Sequence, residues 1–230
     1  MLKMDLTTGV WTGTNAITGR TESLQGIDLG TNGGEEFGLI VGDRGLVLRT
    51  ENGLGENGGE IWQEAVSGTD MTLWDVRFVG DSSAWAAGQG GTLLRTTDRG
   101  QTWTNARIDE SRTLYALDFD SGGDLGLAVG DFGTVWITQD GGESWGEIDV
   151  GTTENIRDVE FISSNSAVAV TDQGRVIVSL NVENNDWNHL QTGQLNSFFS
   201  VAQVQDGLIV GGWDGRAFII PRSSYLEPAR

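Results

Sequence analysis

Thr138-Gln-Asp-Gly-Gly-Glu-Ser-Trp145 has a near twin 42 residues earlier, Thr96-Thr-Asp-Arg-Gly-Gln-Thr-Trp103. Both run hydroxyl, any residue, Asp, any residue, Gly, two residues, Trp. The carboxylates of Asp98 and Asp140 are suited to accept hydrogen bonds from nearby backbone N–H groups and hold a turn closed. Gly100 and Gly142 permit a positive φ that a side chain resists. Trp103 and Trp145 then carry a large apolar ring into a core. Each stretch reads as a turn followed by an anchor, and two copies make a repeat.

The anchors form a ruler. Trp11, Trp62, Trp103, Trp145 and Trp187 are separated by 51, 41, 42 and 42 residues. A period of that length with several short strands per repeat predicts a β-propeller. Each repeat has an extended run at its Trp, then an inner strand, at 24–29, 73–78, 114–119, 156–161 and 198–203. Period-two alternation marks the second to fourth of these. A second strand follows at 38–41, 84–87, 127–129, 167–170 and 208–210. Turns rich in Gly and Asp come next, at 42–45, 88–91, 130–133, 171–174 and 212–215, and such residues suit hairpins. Third strands fall at 46–49, 92–95, 134–137, 175–178 and 216–220. The predicted fold is all-β: a five-bladed β-propeller of four-stranded antiparallel blades. It forms one domain over residues 1–230, with a short irregular tail at 221–230. The strand at Trp11 has no set before it, and the set ending at Ile220 has no Trp strand after it. The N-terminal strand is therefore expected to close the last blade and leave no open edge. The Asp turn decays at the ends of the array. The stretch 50–62 carries an insertion near 53–60, and 179–187 has one extra residue and no Gly.

The turn motif resembles the Asp-box, or BNR, repeat. Beyond it, Thr72-Leu-Trp-Asp-Val-Arg-Phe78, Ala84-Trp-Ala-Ala-Gly88 and Gly91-Thr-Leu-Leu-Arg-Thr-Thr97 resemble the propeller family of photosystem II assembly factors and their non-photosynthetic relatives, over residues 24–220. That resemblance implies an assembly factor or binding scaffold, in a family whose members generally have more blades. It speaks to architecture before function, because one propeller serves many roles. Sialidases carry the same box as a structural turn far from the active site. The resemblance thus implies structural roles for Thr96, Asp98, Gly100, Trp103, Thr138, Asp140, Gly142 and Trp145. Small five-bladed lectins share the blade count, but no motif here matches one.

Composition narrows the partners. The 230 residues include 33 acidic and 14 basic side chains, a formal net charge of −19. Thirteen of the basic residues are Arg, and Lys3 is the only Lys. So acidic a surface repels phosphates and anionic lipid, so neither nucleic acid nor membrane is expected as a partner. Abundant carboxylates with almost no Lys resemble the composition of proteins from extreme halophiles. At ~1 M salt the screening length falls to about 3 Å, which makes self-repulsion tolerable. The chain has no Cys, which excludes disulfides and thiolate metal sites. The start MLKMDLTTGVW lacks the apolar core and cleavage site of a secretory signal. No apolar run approaches the ~20 residues that span a bilayer. The expected location is cytoplasmic or virion-associated.

Enzyme chemistry finds little to use. A sialidase needs an arginine cluster and a nucleophilic Tyr with a Glu partner. Here only Tyr115 and Tyr225 are present, the latter in the tail, and Arg77 and Arg157 lack an obvious third partner. Other glycosidases need two carboxylates about 5–10 Å apart. Asp28, Asp75, Asp118, Asp158 and Glu160 lie on inner strands, but nothing singles out a pair. The preferred reading is that they line a wet channel or bind neighbouring backbone N–H groups. His189 is the only His, which argues against a transition-metal site. No catalytic residue, metal or cofactor is expected.

One column stands apart. The second residues of the inner strands are Gln25, Trp74, Tyr115, Arg157 and Phe199. Repeat symmetry places them at one mouth, near turn residues Asp43, Gln89, Asp131, Asp172 and Trp213, with Arg44 and Phe132 alongside. Trp74, Tyr115, Arg157, Phe199, Trp213, Phe132 and Arg44 are the candidate binding residues, suited to a protein or surface glycan. The competing reading is packing between blades, since strict alternation puts Trp74, Tyr115 and Phe199 on one face with Val76, Leu117 and Val201. The expected function is a non-enzymatic binding or assembly propeller in a halophilic organism or its virus. Alternatives are a lectin-like propeller of a virion tail or capsid, and a small glycoside hydrolase.

Overall fold

A computed structural model describes residues 2–4, 11–13, 21–32, 35–51, 62–106, 108, 111–190, 192, 197–212 and 215–226. Two short strands, β1 (Leu2–Met4) and β2 (Trp11–Gly13), pair with each other as a hairpin. Five antiparallel sheets follow, each built from consecutive strands. The first blade is β3 (Leu24–Asn32), β4 (Glu35–Gly42), β5 (Val47–Thr50) and β6 (Gln63–Ala65). The second is β7 (Leu73–Val79), β8 (Ser83–Gly88), β9 (Leu93–Thr96) and β10 (Thr104–Asn105). The third is β11 (Leu114–Phe119), β12 (Gly126–Gly130), β13 (Val135–Thr138) and β14 (Gly146–Ile148). The fourth is β15 (Ile156–Ser163), β16 (Ser166–Thr171), β17 (Val176–Asn181) and β18 (Asp186–Leu190). The fifth is β19 (Phe198–Val204), β20 (Gly207–Gly212) and β21 (Ala217–Pro221). After it, the expected irregular tail carries one helical turn, α1 (Ser223–Leu226), and Tyr225 is buried against the fourth and fifth blades.

Hydrophobic burial explains why the blades stack. The second strand of a blade is apolar on both faces, because each face meets a different neighbour. In β4, Leu39 and Val41 pack onto Leu73, Val76 and Ala84 of the second blade, while Ile40 packs with Leu46, Leu48 and Trp62 on the other face. Similar clusters join the second blade to the third, the third to the fourth and the fourth to the fifth. Each fully buried Val or Leu contributes about 1.5–3 kcal/mol, so the core is a series of interfaces between blades.

Closure differs from the expectation. The fifth sheet has three strands, and β2 pairs with β1 and not with β21. A local hairpin closes a much shorter loop than one spanning the chain, and loop-closure entropy favours it. Inner strands pack in the order β3, β7, β11, β15, β19, and no comparable packing joins β19 to β3 among the described residues. Among the described residues the five blades pack in sequence, with β3 and β19 first and last in the series.

Candidate functional site

The inner strands do not alternate strictly. In all five, the register slips at the second residue: at Gln25, Trp74, Tyr115, Arg157 and Phe199. A β-bulge of this kind re-aims the extra side chain. It takes the second residue off the face held by the first and fourth. Leu73 and Val76 are buried together while Trp74 stays half-buried. The bulge breaks the strict alternation that the packing reading assumed, but the side chains still meet their neighbours across the blade junctions. The signal was present in the sequence as apolar residues at the first and fourth positions, a spacing of three where an unbroken strand has two.

Three of the five bulged side chains are held by the turn of their own blade. Gln25 Nε2 donates to Asp43 Oδ1 at 3.2 Å, and Tyr115 Oη to Asp131 Oδ1 at 2.6 Å. Arg157 Nη2 donates to Asp172 Oδ2 at 3.2 Å. Those Asp residues also accept from Ser23 N, Thr113 N and Asn155 Nδ2. Burial, then the acceptor at Asp131, pushes the Tyr115 phenol above its ordinary pKa. Between blades the column becomes a ladder. The Trp74 and Tyr115 rings meet edge to face at 6.0 Å. The Arg157 guanidinium lies 4.2 Å from the Tyr115 ring centroid and 5.9 Å from that of Phe199. Four of the seven candidate binding residues are thus brought together across four blades.

The others stand apart or beyond view. Phe132 sits at a turn tip, 68% exposed, with φ of 55° and its N–H bonded to Asn155 Oδ1. Arg44, at φ 57°, lines a separate cleft of about 550 Å³ with Glu22, Glu64 and Asp70. Trp213 and the insertion near 53–60 lie outside the described residues.

The inner-strand carboxylates clasp the next blade. Asp28 Oδ2 accepts from Phe78 N at 2.7 Å, and Asp75 Oδ2 from Leu117 N at 3.1 Å. Asp118 Oδ2 accepts from Phe161 N at 2.7 Å, and Asp158 Oδ2 from Val201 N at 2.9 Å. Glu160 adds a bond from Gln203 N at 3.0 Å. Arg77 is the cation among them, 3.2 Å from Asp75 and 3.7 Å from Asp118. Burial raises the pKa of Asp75 to about 7 and pushes Asp118, Asp158 and Glu160 upward too. Carboxylates engaged this way hold blades together.

On the opposite end of the blades, the Asp-box turns are built as their sequence suggests. Asp140 Oδ1 accepts from Thr138 Oγ1 and Ser144 N, and Oδ2 from Ser144 Oγ at 2.6 Å. Those bonds, led by Ser144, lower the Asp140 pKa to about 2. Asp98 makes the same set with Thr96 and Thr102. Gly100 and Gly142 have φ of 79° and 90°, and Trp103 and Trp145 pack against blade junctions. In the degenerate fourth copy, Asn181 Oδ1 accepts from Asn184 N, and Asn185 takes the positive φ, at 53°. His189 is committed as well, with Nε2 2.7 Å from Val150 O and Nδ1 3.4 Å from Arg175 Nη1. Among the described residues no group of three or more His, Asp or Glu side chains is placed to hold a metal ion. No described helix is long and apolar enough to cross a membrane.

Comparison with known proteins agrees with this architecture. Residues 21–207 match the family model described as Photosynthesis system II assembly factor YCF48. The photosystem II stability/assembly factor HCF136 of Arabidopsis thaliana chloroplasts is 32% identical over 83 residues, which cover 35% of this chain and 20% of that protein. A solved structure of YCF48 bound to D1 peptide superposes with a TM-score of 0.65 at 17% identity, over 90% of this chain and 66% of the other. The chain thus spans a fifth of the chloroplast protein and just under two thirds of the solved one.

Proposed function

This chain belongs to the Photosynthesis system II assembly factor YCF48 family, and from that premise we propose that it is a non-enzymatic propeller that holds a protein partner during assembly, on the rim formed by Trp74, Tyr115, Arg157 and Phe199. The observation that carries this reading is the ladder itself: four bulged side chains from four blades, in contact across the junctions. Aromatic rings and Arg are the side chains most enriched at interface hot spots. Exposed Phe132 supplies a further apolar contact at a turn tip. The solved YCF48 structure holds a peptide, which supports an extended protein segment as the ligand class. A non-enzymatic role is supported by the inner carboxylates, which are spent on backbone N–H groups of the next blade. The acidic, Lys-poor composition supports work at high salt, in a halophilic organism or its virus.

A displayed peptide library, panned on the whole chain in molar salt beside a glycan array, tests this. Enriched peptides are expected to lose about tenfold or more in affinity, ~1.4 kcal/mol, with Trp74→Ala and with Arg157→Ala. Circular dichroism checks that both variants fold. Peptides that bind both variants as tightly as wild type would remove the site from this rim. Glycan capture without peptide capture would favour the lectin-like alternative, and turnover of an arrayed glycan the hydrolase.

A further inference from the structure

We propose that Asp75 and Asp158 are positioning residues of the rim site: each fixes the spacing of the two ladder side chains that meet at its junction, and so the shape offered to the partner segment. The role rests on the reading of that rim as the partner site. The inner carboxylates fall into two layers. Asp28, Asp118 and Glu160 stand at the fifth place of their inner strands and accept from the sixth residue of the next, at Phe78, Phe161 and Gln203. Asp75 and Asp158 stand at the third place, one residue after Trp74 and Arg157, and accept from the fourth residue of the next strand, at Leu117 and Val201. Those two N–H groups come two residues after Tyr115 and Phe199. Along the strands, the third-place clasps are the ones nearest the ladder.

Their distribution follows how each ladder member is held. Tyr115 and Arg157 are tied to Asp131 and Asp172 of their own turns, and at the junction between them the third place is Ala116. Gln25 is tied to Asp43, and at its junction the third place is Gly26, where a Cβ would stand 2.8 Å from Asp75 Cα. Trp74 and Phe199 are placed differently. The Trp74 indole Nε1 is buried with no hydrogen-bond partner among the described residues, and a phenyl ring carries no hydrogen-bonding atom. Trp74 meets the Tyr115 ring across its junction, and Phe199 meets the Arg157 guanidinium across another. These two junctions are the ones with a third-place carboxylate. Each carboxylate bridges its junction with both oxygens. Oδ1 accepts from the next N–H of its own strand, Val76 or Val159, at 2.9 Å, while Oδ2 accepts from the next blade. Two anchored oxygens leave the side chain one orientation, and the clasp then fixes how far apart the paired side chains sit.

Peptides enriched on the whole chain should bind Asp75→Ala and Asp158→Ala about fivefold more weakly, ~1 kcal/mol, and Glu160→Ala within about twofold of wild type. Glu160 is the control because it clasps the same junction as Asp158, at 3.0 Å against 2.9 Å, so a loss of stability alone would weaken both variants alike. Circular dichroism checks the fold. Where an alanine variant does not fold, Asp75→Asn or Asp158→Asn takes its place; the amide keeps the volume but turns an N–H toward one of the two donors, and the same loss is expected. Without any ligand, fluorine NMR of the chain labelled with fluorotryptophan reads the ladder directly. The resonance lost in Trp74→Phe belongs to Trp74. It should move in Asp75→Ala toward its position in Tyr115→Ala, and stay in place in Glu160→Ala. An unmoved Trp74 resonance in Asp75→Ala, or equal weakening by Asp158→Ala and Glu160→Ala, overturns the positioning role. Peptides that depend on Trp74 and Arg157 but not on Asp75 or Asp158 overturn it and leave the rim reading intact. Peptides that ignore Trp74→Ala and Arg157→Ala overturn the rim reading, and this role with it.

Discussion

At the scale of single residues, the Asp-box Gly142 and the strand residue Gly146 differ sharply in what they tolerate. Gly142 has φ of 90°, and a Cβ there would stand 2.1 Å from Trp85 Cζ2 of the preceding blade. Gly146, four residues on, has nothing within 4 Å of the same hypothetical atom. Gly142→Ala therefore combines a strained backbone with overpacking and should cost about 2–4 kcal/mol. Gly146→Ala should stay within about 0.5 kcal/mol. Urea melts of the two variants check the contrast; equal midpoints would remove the close approach as the reason for Gly. Asp75 makes a second residue-level prediction. Burial raises its folded pKa from 3.8 to about 7, so the native state holds this proton more tightly than the unfolded chain. The stability it contributes is full below about pH 4 and is lost as pH rises through 7. Asp140 acts oppositely: its lowered pKa contributes stability above about pH 4 that disappears as pH falls through about 2. Asp75→Asn should flatten the decline in stability between pH 4 and 8, while the raised values of Asp118, Asp158 and Glu160 leave a residual slope. A variant whose stability falls over that range as steeply as wild type would show that Asp75 does not titrate there.

At the scale of elements, each junction couples an apolar face to a carboxylate clasp. Hydrogen bonds to charged groups contribute about 1.5–3 kcal/mol, and at the last junction Asp158 accepts one from Val201 N. Asp158→Ala should loosen the fifth blade first. Amide exchange in β19 is expected to accelerate while β7, whose amide at Phe78 is held by Asp28, keeps its protection. Uniform acceleration across all blades would mean the clasp acts on global stability alone. The elements themselves were legible in the sequence, because the Trp spacing fixes the repeat and every inner strand begins at the residue its pattern indicates: Leu24, Leu73, Leu114, Ile156 and Phe198. The candidate column was legible for the same reason, since repeats put equivalent residues at equivalent places. Its meaning was less so. Strict alternation assigned Trp74 to the face of Val76, and only the bulge separates them. Closure was not legible, because the strand at Trp11 could pair with β21 or with Leu2–Met4 on composition alone, and short-range pairing wins. Which N–H each carboxylate reaches depends on the stagger between blades. That stagger sends Asp75 to the fourth residue of the next inner strand and Asp28 to the sixth.

At the scale of the whole molecule, charge sets the conditions under which the blades hold together. Its 33 acidic side chains face 14 basic ones. Much of that basic complement is already engaged locally: Arg77 by Asp75 and Asp118, Arg95 by Glu143, Arg112 by Glu147, Arg157 by Asp172 and Arg175 by Glu154. The surplus carboxylates repel one another across the surface, and that repulsion opposes the compact state. The first blade also exposes Leu24, Ile27 and Leu29, so apolar area stays in contact with water there. Salt acts on both. Screening shortens from about 10 Å at 0.1 M to about 3 Å at 1 M, and excluded anions such as sulfate strengthen apolar burial. The midpoint of thermal unfolding is therefore expected to rise by several degrees, at least one kcal/mol on the scale of about 2–4 °C per kcal/mol, between low and molar salt. Potassium chloride and ammonium sulfate should be compared at matched ionic strength. A rise in both salts assigns the effect to screening of the carboxylates. A rise in sulfate alone assigns it to apolar burial, and in that case Ile27→Asp, which makes that face polar, should reduce the gain. A midpoint unchanged in either salt would mean the surplus charge is tolerated without screening, and the halophilic reading of the composition would fall with it.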